Sequence, residues 1–251
     1  MIKSGDRPEL PNVTLVAVTS VAVPATVRAL EASMAEVKFG RALLLTDHPS
    51  PPTVGPFEWR QIDALRSRAD YSRFMVRDLA NHIQTSHALC IQWDGFVLRG
   101  EAWDDGFLDY DYIGAVWPHF PDGYNVGNGG FSLRSRRLLE ACRELPLNAA
   151  ELEDLAICRR WRPQLEEQGF RFAPEEVARR FSYEREPSNG SEFGFHGAFN
   201  LVRYLSKSDA NQLFGSLEPE LLARSERLEI LGWAVRHGRV RLALEMLKRL
   251  T

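Results

Sequence analysis

The sequence predicts an α/β protein in which a mostly parallel sheet is flanked by helices, followed by a small helical appendage. Three observations carry this reading. Short apolar runs at 13–18, 41–45 and 88–91 have the length of buried strands and lack polar alternation. An amphipathic stretch separates the first two, and strand, helix, strand in that order makes a parallel crossover unit. From Ser208 onward, closely spaced leucines alternate with Arg and Glu in helical register. The chain accordingly divides into an α/β domain, 1–205, and a helical appendage, 206–251.

Each element has its own signal. The first strand ends on Thr19 and Ser20; Pro24 suits the first turn of a helix, to which Ala29, Leu30, Ser33, Met34 and Val37 give an apolar stripe. The second strand closes on Thr46 and Asp47. A Pro-rich connection, 49–56, leads to an edge strand at 57–62. Phe74, Met75, Leu79 and Ile83 fall at helical spacing and predict a helix over 71–83 with Ser72 as N-cap. The central strand, 88–91, ends on Gln92, Trp93 and Asp94, and Gly95 breaks it.

Between 101 and 112, five carboxylates alternate with aromatics without the spacing of a calcium loop, so a solvated loop into a strand at 112–116 is expected, ended by Trp117 and Pro118. An aromatic there either stacks on a sugar or packs. Residues 125–130 hold three glycines and two asparagines, which suits positive φ and close approach to a ligand, or a plain hairpin turn at Asn128 and Gly129. Helices are expected at 135–144, from about 148 through Cys158, and at 175–181. A polar loop then enters the aromatic run 193–199. The appendage reads as two or three short helices, broken near Gly232 and Gly238.

Composition narrows the function. With 251 residues, 44% hydrophobic and 26% charged, the chain can build a sizeable core. A formal net charge of −3 and a pI near 6.1 argue against nucleic acid as a partner. Cys90, Cys142 and Cys158 form no Cys-x-x-Cys pair, so a reducing compartment is the simpler reading. No run is long and apolar enough for a membrane span or secretory signal, and a cytoplasmic location is expected. The C-terminal helices, with Arg236, Arg239, Arg241, Lys248 and Arg249, could cover the sheet, form a dimer contact or lie on the inner face of a membrane. The oligomeric state stays open.

Asp94 is the first residue to defend, because open α/β sheets place ligand chemistry at the C-terminal ends of their strands. A hydrophobic strand closing on Gln92, Trp93 and Asp94 resembles the metal-binding Asp-x-Asp signature of GT-A glycosyltransferases, with the neutral amide of Gln92 in place of the first Asp. More narrowly, residues from 12 to about 205 resemble the DUF5672 family, which is grouped with those enzymes. The strand end 92–94, the strand 111–117 and the loop 125–133 carry the likeness.

That resemblance implies a GT-A, Rossmann-like sheet and transfer of a sugar from a nucleotide-diphosphate donor to a hydroxyl of a glycan or lipid-linked glycan, as in cell-surface polysaccharide synthesis. It implies Mn²⁺ or Mg²⁺ held by Asp94 and by the late histidine His196, whose other reading is a buried structural imidazole. Thr19, Ser20 and Asp47 would contact the nucleotide or merely cap and turn the chain. Arg73, near its helix start, would meet the diphosphate or simply face solvent, and Gln92, Gly129 and Gly130 would line the donor site. Glu153 and Asp154 resemble the x-Glu-Asp motif of inverting enzymes, which implies Asp154 as catalytic base; the other reading of an acidic pair at a helix start is a dipole partner facing water. Two rivals are nucleotidyl transfer, which would want a second acidic ligand near Asp94 and a basic phosphate loop, and a non-catalytic sugar- or nucleotide-binding scaffold.

Overall fold

Strands β1 (Glu9–Val18), β2 (Lys38–Thr46), β3 (Glu58–Gln61), β4 (His87–Ile91), β5 (Tyr112–Ile113) and β6 (Phe131–Ser135) form one sheet in the order β3-β2-β1-β4-β6-β5. The computed structural model describes residues 7–50 and 55–250; residues 51–54 of the Pro-rich connection lie outside the described residues. The apolar runs show no alternation because both faces of the sheet are covered. Leu15, Ala17, Leu44, Leu89 and Ile91 enter one core, while Val16, Val18, Leu43, Leu45, Ala88 and Cys90 enter another. Helix α1 (Val23–Glu36) supplies Ala29 and Leu30 to the first; α2 (Arg68–Arg77) supplies Met75 to the second. The fold is the mixed α/β sheet flanked by helices that the sequence predicts.

β1, β2, β3 and β4 run parallel, whereas β6 is antiparallel to both β4 and β5. Ile91 faces Phe131 across the β4–β6 pair, so the end of β4 lies beside the beginning of β6. That antiparallel register juxtaposes two turns that are far apart in sequence.

Several local expectations are corrected. Helix α2 begins at Arg68 and is capped by Ser67, whose hydroxyl accepts a hydrogen bond from Asp70 N at 3.1 Å. Asp70 in turn accepts from Arg66 N at 3.1 Å, and this reciprocal cap outcompetes Ser72. Ser72 is buried, and residues 79–82 form a separate 3-10 turn. The strand expected over 112–116 pairs only at Tyr112 and Ile113, with Val116 joined to Val126 by a single bridge. Asp111 does not belong to a solvated loop: it is buried and accepts from Ser135 Oγ at 2.5 Å, Arg137 Nε at 2.6 Å and Arg171 N at 2.8 Å. Trp117 packs in the core against Phe120.

Helix α3 (Arg136–Cys142) follows β6. The helix expected through Cys158 is instead a short α4 (Glu153–Leu155) running into one π-helical turn over Ala156–Arg160. Helices α5 (Arg162–Glu167) and α6 (Glu175–Phe181) lead to a two-stranded sheet of β7 (Ser182–Tyr183) and β8 (Gly194–Phe195). The three cysteines are free and buried.

The chain divides into two compact units, Met1–His196 and Gly197–Thr251; the sequence reading draws the line at 205. In the second unit, α7 (Ala198–Leu201), α8 (Lys207–Ser216), α9 (Arg224–Arg236) and α10 (Val240–Lys248) follow in turn. Helix α9 passes through Gly232 without the expected break, and the chain turns at Gly238, where φ is 64°. Among the described residues, no helix is long and apolar enough to cross a membrane.

Candidate functional site

The site forms where β4 ends and β6 begins. Gln92 N donates to Gly130 O at 2.9 Å, and Gly95 N closes a turn onto Gln92 O at 3.2 Å. That turn holds Asp94 at 6% exposure. His196 follows β8, tied by its own N–H to Tyr183 O at 3.1 Å. Its Nε2 lies 3.2 Å from Asp94 Oδ1. Its Nδ1 lies 3.3 Å from Glu184 Oε1 and 3.2 Å from Asn128 Nδ2. Burial opposes a charge on the imidazole, but the carboxylates of Asp94 and Glu184 outweigh it and hold the pKa well above the usual histidine value.

Asp154 reaches the same turn from the other side. Its Oδ2 accepts from Gly129 N at 3.0 Å, and its Oδ1 accepts from Leu155 N at 2.8 Å. Burial, and then the neighbouring Glu153 carboxylate, push its pKa up to about 6. Glu153 itself is buried against Arg134 at 3.0 Å, with Arg134 fully enclosed.

The glycines at 129 and 130 are needed for close approach. A Cβ on Gly129 would stand 2.4 Å from Glu153 Oε1 and 3.4 Å from Asp154 Cβ; one on Gly130 would stand 2.0 Å from His196 Nε2. Successive Cα atoms are about 3.8 Å apart, so the Glu153–Asp154 turn and the Asp94–His196 pair flank one dipeptide. The positive φ expected somewhere in this loop belongs to Asn128, at 74°, and not to a glycine within 125–130. Asn tolerates that conformation, and Asn128 Oδ1 accepts from Gly130 N at 2.8 Å.

The residues suit a divalent cation in their chemistry. Asp94 Oδ1 is buried with no hydrogen-bond donor aligned on it, and it faces an imidazole nitrogen whose partner nitrogen is braced by a carboxylate, as metal-binding histidines commonly are. Among the described residues, no group of three His, Cys, Asp or Glu side chains is placed to hold an ion. Asp94 and His196 are the two side chains that could hold one, with water and a substrate's oxygens in the remaining positions.

Residues 57–196 match the family described as Protein of unknown function (DUF5672). The chain belongs to the DUF5672 family. Every residue of the cluster just described lies inside that match. No curated protein matches the chain. Among solved structures, it is similar to the crystal structure of a glycosyltransferase involved in the glycosylation of the major capsid of PBCV-1, with 12% identity, 73% of this chain and 92% of the other covered, and a TM-score of 0.46. It is also similar to the apo-form glycosyltransferase GlyE of Streptococcus pneumoniae TIGR4, with 10% identity, 79% and 56% covered, and a TM-score of 0.44.

The outer candidates of this DUF5672 chain are placed less decisively. Thr19 Oγ1 is engaged with Val21 N at 3.1 Å and with Val21 O inside its own turn. Ser20 Oγ accepts from Leu65 N at 2.8 Å. Asp47, just past β2, keeps a buried Oδ1 without a hydrogen bond. Gln92 Nε2 donates to Tyr71 Oη at 3.0 Å. Arg73 is not at a helix start: it lies well inside α2, 68% exposed, paired with Asp70 at 2.9 Å. It lines a cavity of about 560 Å³ with Gln61, Leu65 and Phe74.

Three DUF5672 residues that build the site escape a sequence reading. Asn128 Oδ1 holds Gly130 N, Glu184 accepts from His196 Nδ1 and so orients the ring, and Arg134 pairs with Glu153 while also reaching Gly129 O at 3.4 Å. The only sequence signal for Asn128 is its place in a glycine-rich turn. Glu184 and Arg134 have none, since their partners come from distant segments.

Proposed function

We propose that this protein is a metal-dependent, inverting glycosyltransferase that moves a sugar from a nucleotide-diphosphate donor to a hydroxyl of a glycan or lipid-linked glycan. The observation that carries the reading is the convergence of Asp94, His196 and Asp154 on the Gly129–Gly130 turn. Asp94 and His196, the latter after releasing the Nε2 proton that its raised pKa otherwise retains, would hold Mn²⁺ or Mg²⁺, which when bound neutralises negative charge developing on a leaving diphosphate. Asp47, with its unsatisfied carboxylate oxygen at the end of β2, is the best placed of the outer candidates to take a hydroxyl or N–H of the nucleoside.

Asp154 is the base. Its raised pKa leaves it ionised at neutral pH yet more basic than an ordinary carboxylate. Each of its oxygens accepts one backbone N–H and retains a lone pair for a proton. As the acceptor oxygen bonds to the anomeric carbon and the bond to the diphosphate breaks, the hydroxyl proton passes to Asp154. A single displacement of this kind inverts the anomeric configuration. General-base assistance is worth about a hundred- to ten thousandfold.

The test combines binding and turnover. Melting temperature is followed with uridine, guanosine and cytidine diphosphates, with and without Mn²⁺. Stabilisation by one nucleotide that requires Mn²⁺ and disappears in Asp94→Ala supports the donor site. No shift with any nucleotide favours the binding scaffold. Asp154→Asn is expected to keep the metal-dependent shift and to lose donor turnover; wild-type turnover in that variant removes Asp154 as base.

A further inference from the structure

Helix α10 is apolar on two faces. Leu242, Ala243 and Met246 are buried on one, whereas Val240, Leu244 and Leu247, spaced as a single stripe, are 68%, 54% and 48% exposed. At 100° per residue, Arg241 and Lys248 fall together along one border of the exposed stripe, and both are exposed. Helix α9 repeats the pattern, with Ile230 and Ala234 buried and Leu228 and Val235 exposed at 48% and 65%. An unpartnered apolar stripe on consecutive helices is unusual for a surface that faces only water.

Charge singles out the occupant. From 236 to 249 there are five basic residues, Arg236, Arg239, Arg241, Lys248 and Arg249, against one acidic, Glu245, in a chain whose net charge is −3. We propose that the exposed face of α10, bordered by Arg241 and Lys248, is a docking surface for an anionic lipid bilayer. The stripe enters the boundary between headgroups and acyl chains, and the cations meet lipid phosphates, the division of labour of an interfacial amphipathic helix. A second copy of the chain fits less well: antiparallel isologous pairing on this stripe would bring like charges of both copies together.

The experiment is flotation of the full chain with vesicles of phosphatidylcholine alone and of phosphatidylcholine with phosphatidylglycerol, at low and near-physiological salt. Binding should require the anionic lipid and weaken with salt. Leu244→Glu alters an exposed position and should weaken binding by at least about tenfold. Arg241→Glu with Lys248→Glu should weaken it by about twenty-five-fold or more, at about fivefold for each cation removed. Circular dichroism confirms that each variant is folded. Equal binding to neutral and anionic vesicles, or none to either, overturns the proposal. So does a wild-type dimer in sedimentation velocity that Leu244→Glu dissociates without any vesicle binding. None of these readouts depends on glycosyl transfer.

Discussion

Removing the charge of Asp154 should make the protein more stable at neutral pH while abolishing the proposed chemistry. Its pKa stands at about 6 in the fold against an ordinary 3.8, so the folded state binds the proton more tightly than the unfolded chain. The sign follows: below about pH 4 both states are protonated and the residue is neutral in its effect, and as pH rises through 6 the folded state bears a charge that costs it stability. A difference of roughly two pKa units corresponds to about 3 kcal/mol at pH 8.

Asp154→Asn removes that cost but offers a single oxygen to the two backbone donors, Gly129 N and Leu155 N. One lost hydrogen bond takes back about 1 kcal/mol. The net expectation is a gain of about 2 kcal/mol at pH 8 that shrinks as pH falls and turns into a deficit of about 1 kcal/mol below pH 4, where only the lost hydrogen bond remains. Urea unfolding of wild type and Asp154→Asn across that range measures it directly. A variant less stable than wild type at pH 8, or a difference that does not change with pH, would refute the burial argument.

The remaining expectations concern the same turn and its supports. Turnover should fall tenfold per pH unit below about pH 6 as Asp154 takes up its proton, and a profile flat from pH 7 to 5 would exclude it as the base. Gly130→Ala puts a methyl 2.0 Å from His196 Nε2; displacement of the ring should abolish Mn²⁺-dependent nucleotide stabilisation, at a folding cost of about 1–3 kcal/mol. Arg134→Met strands a buried Glu153 carboxylate and should cost about 3–5 kcal/mol. Adding Glu153→Leu should recover part of that loss in a urea titration, and failure to do so would mean that Arg134 acts through packing instead.

Local sequence determined the strands and most of the helices, because continuous apolar runs and helical stripes report burial directly. The central strand end, the position of Asp94 and the glycine-rich approach to β6 were legible for the same reason. Cap competition was less so: Ser67 with Asp70, not Ser72, begins α2, a choice settled by hydrogen bonds between neighbours. The acidic character of Asp111 suggested solvent, yet Ser135, Arg137 and the Arg171 backbone, all distant in sequence, enclose it.

Only the tertiary structure decided the site itself. The antiparallel register of β6 against β4 sets Gly130 beside Gln92. His196 meets Asp94, and Asp154 meets Gly129, at that junction. Spacing along a chain cannot encode which turn lies across from which, since that depends on strand direction and order. The pKa of Asp154 and the bracing of His196 Nδ1 by Glu184 follow from the same convergence, and both are properties of an enclosed cluster that no single segment carries.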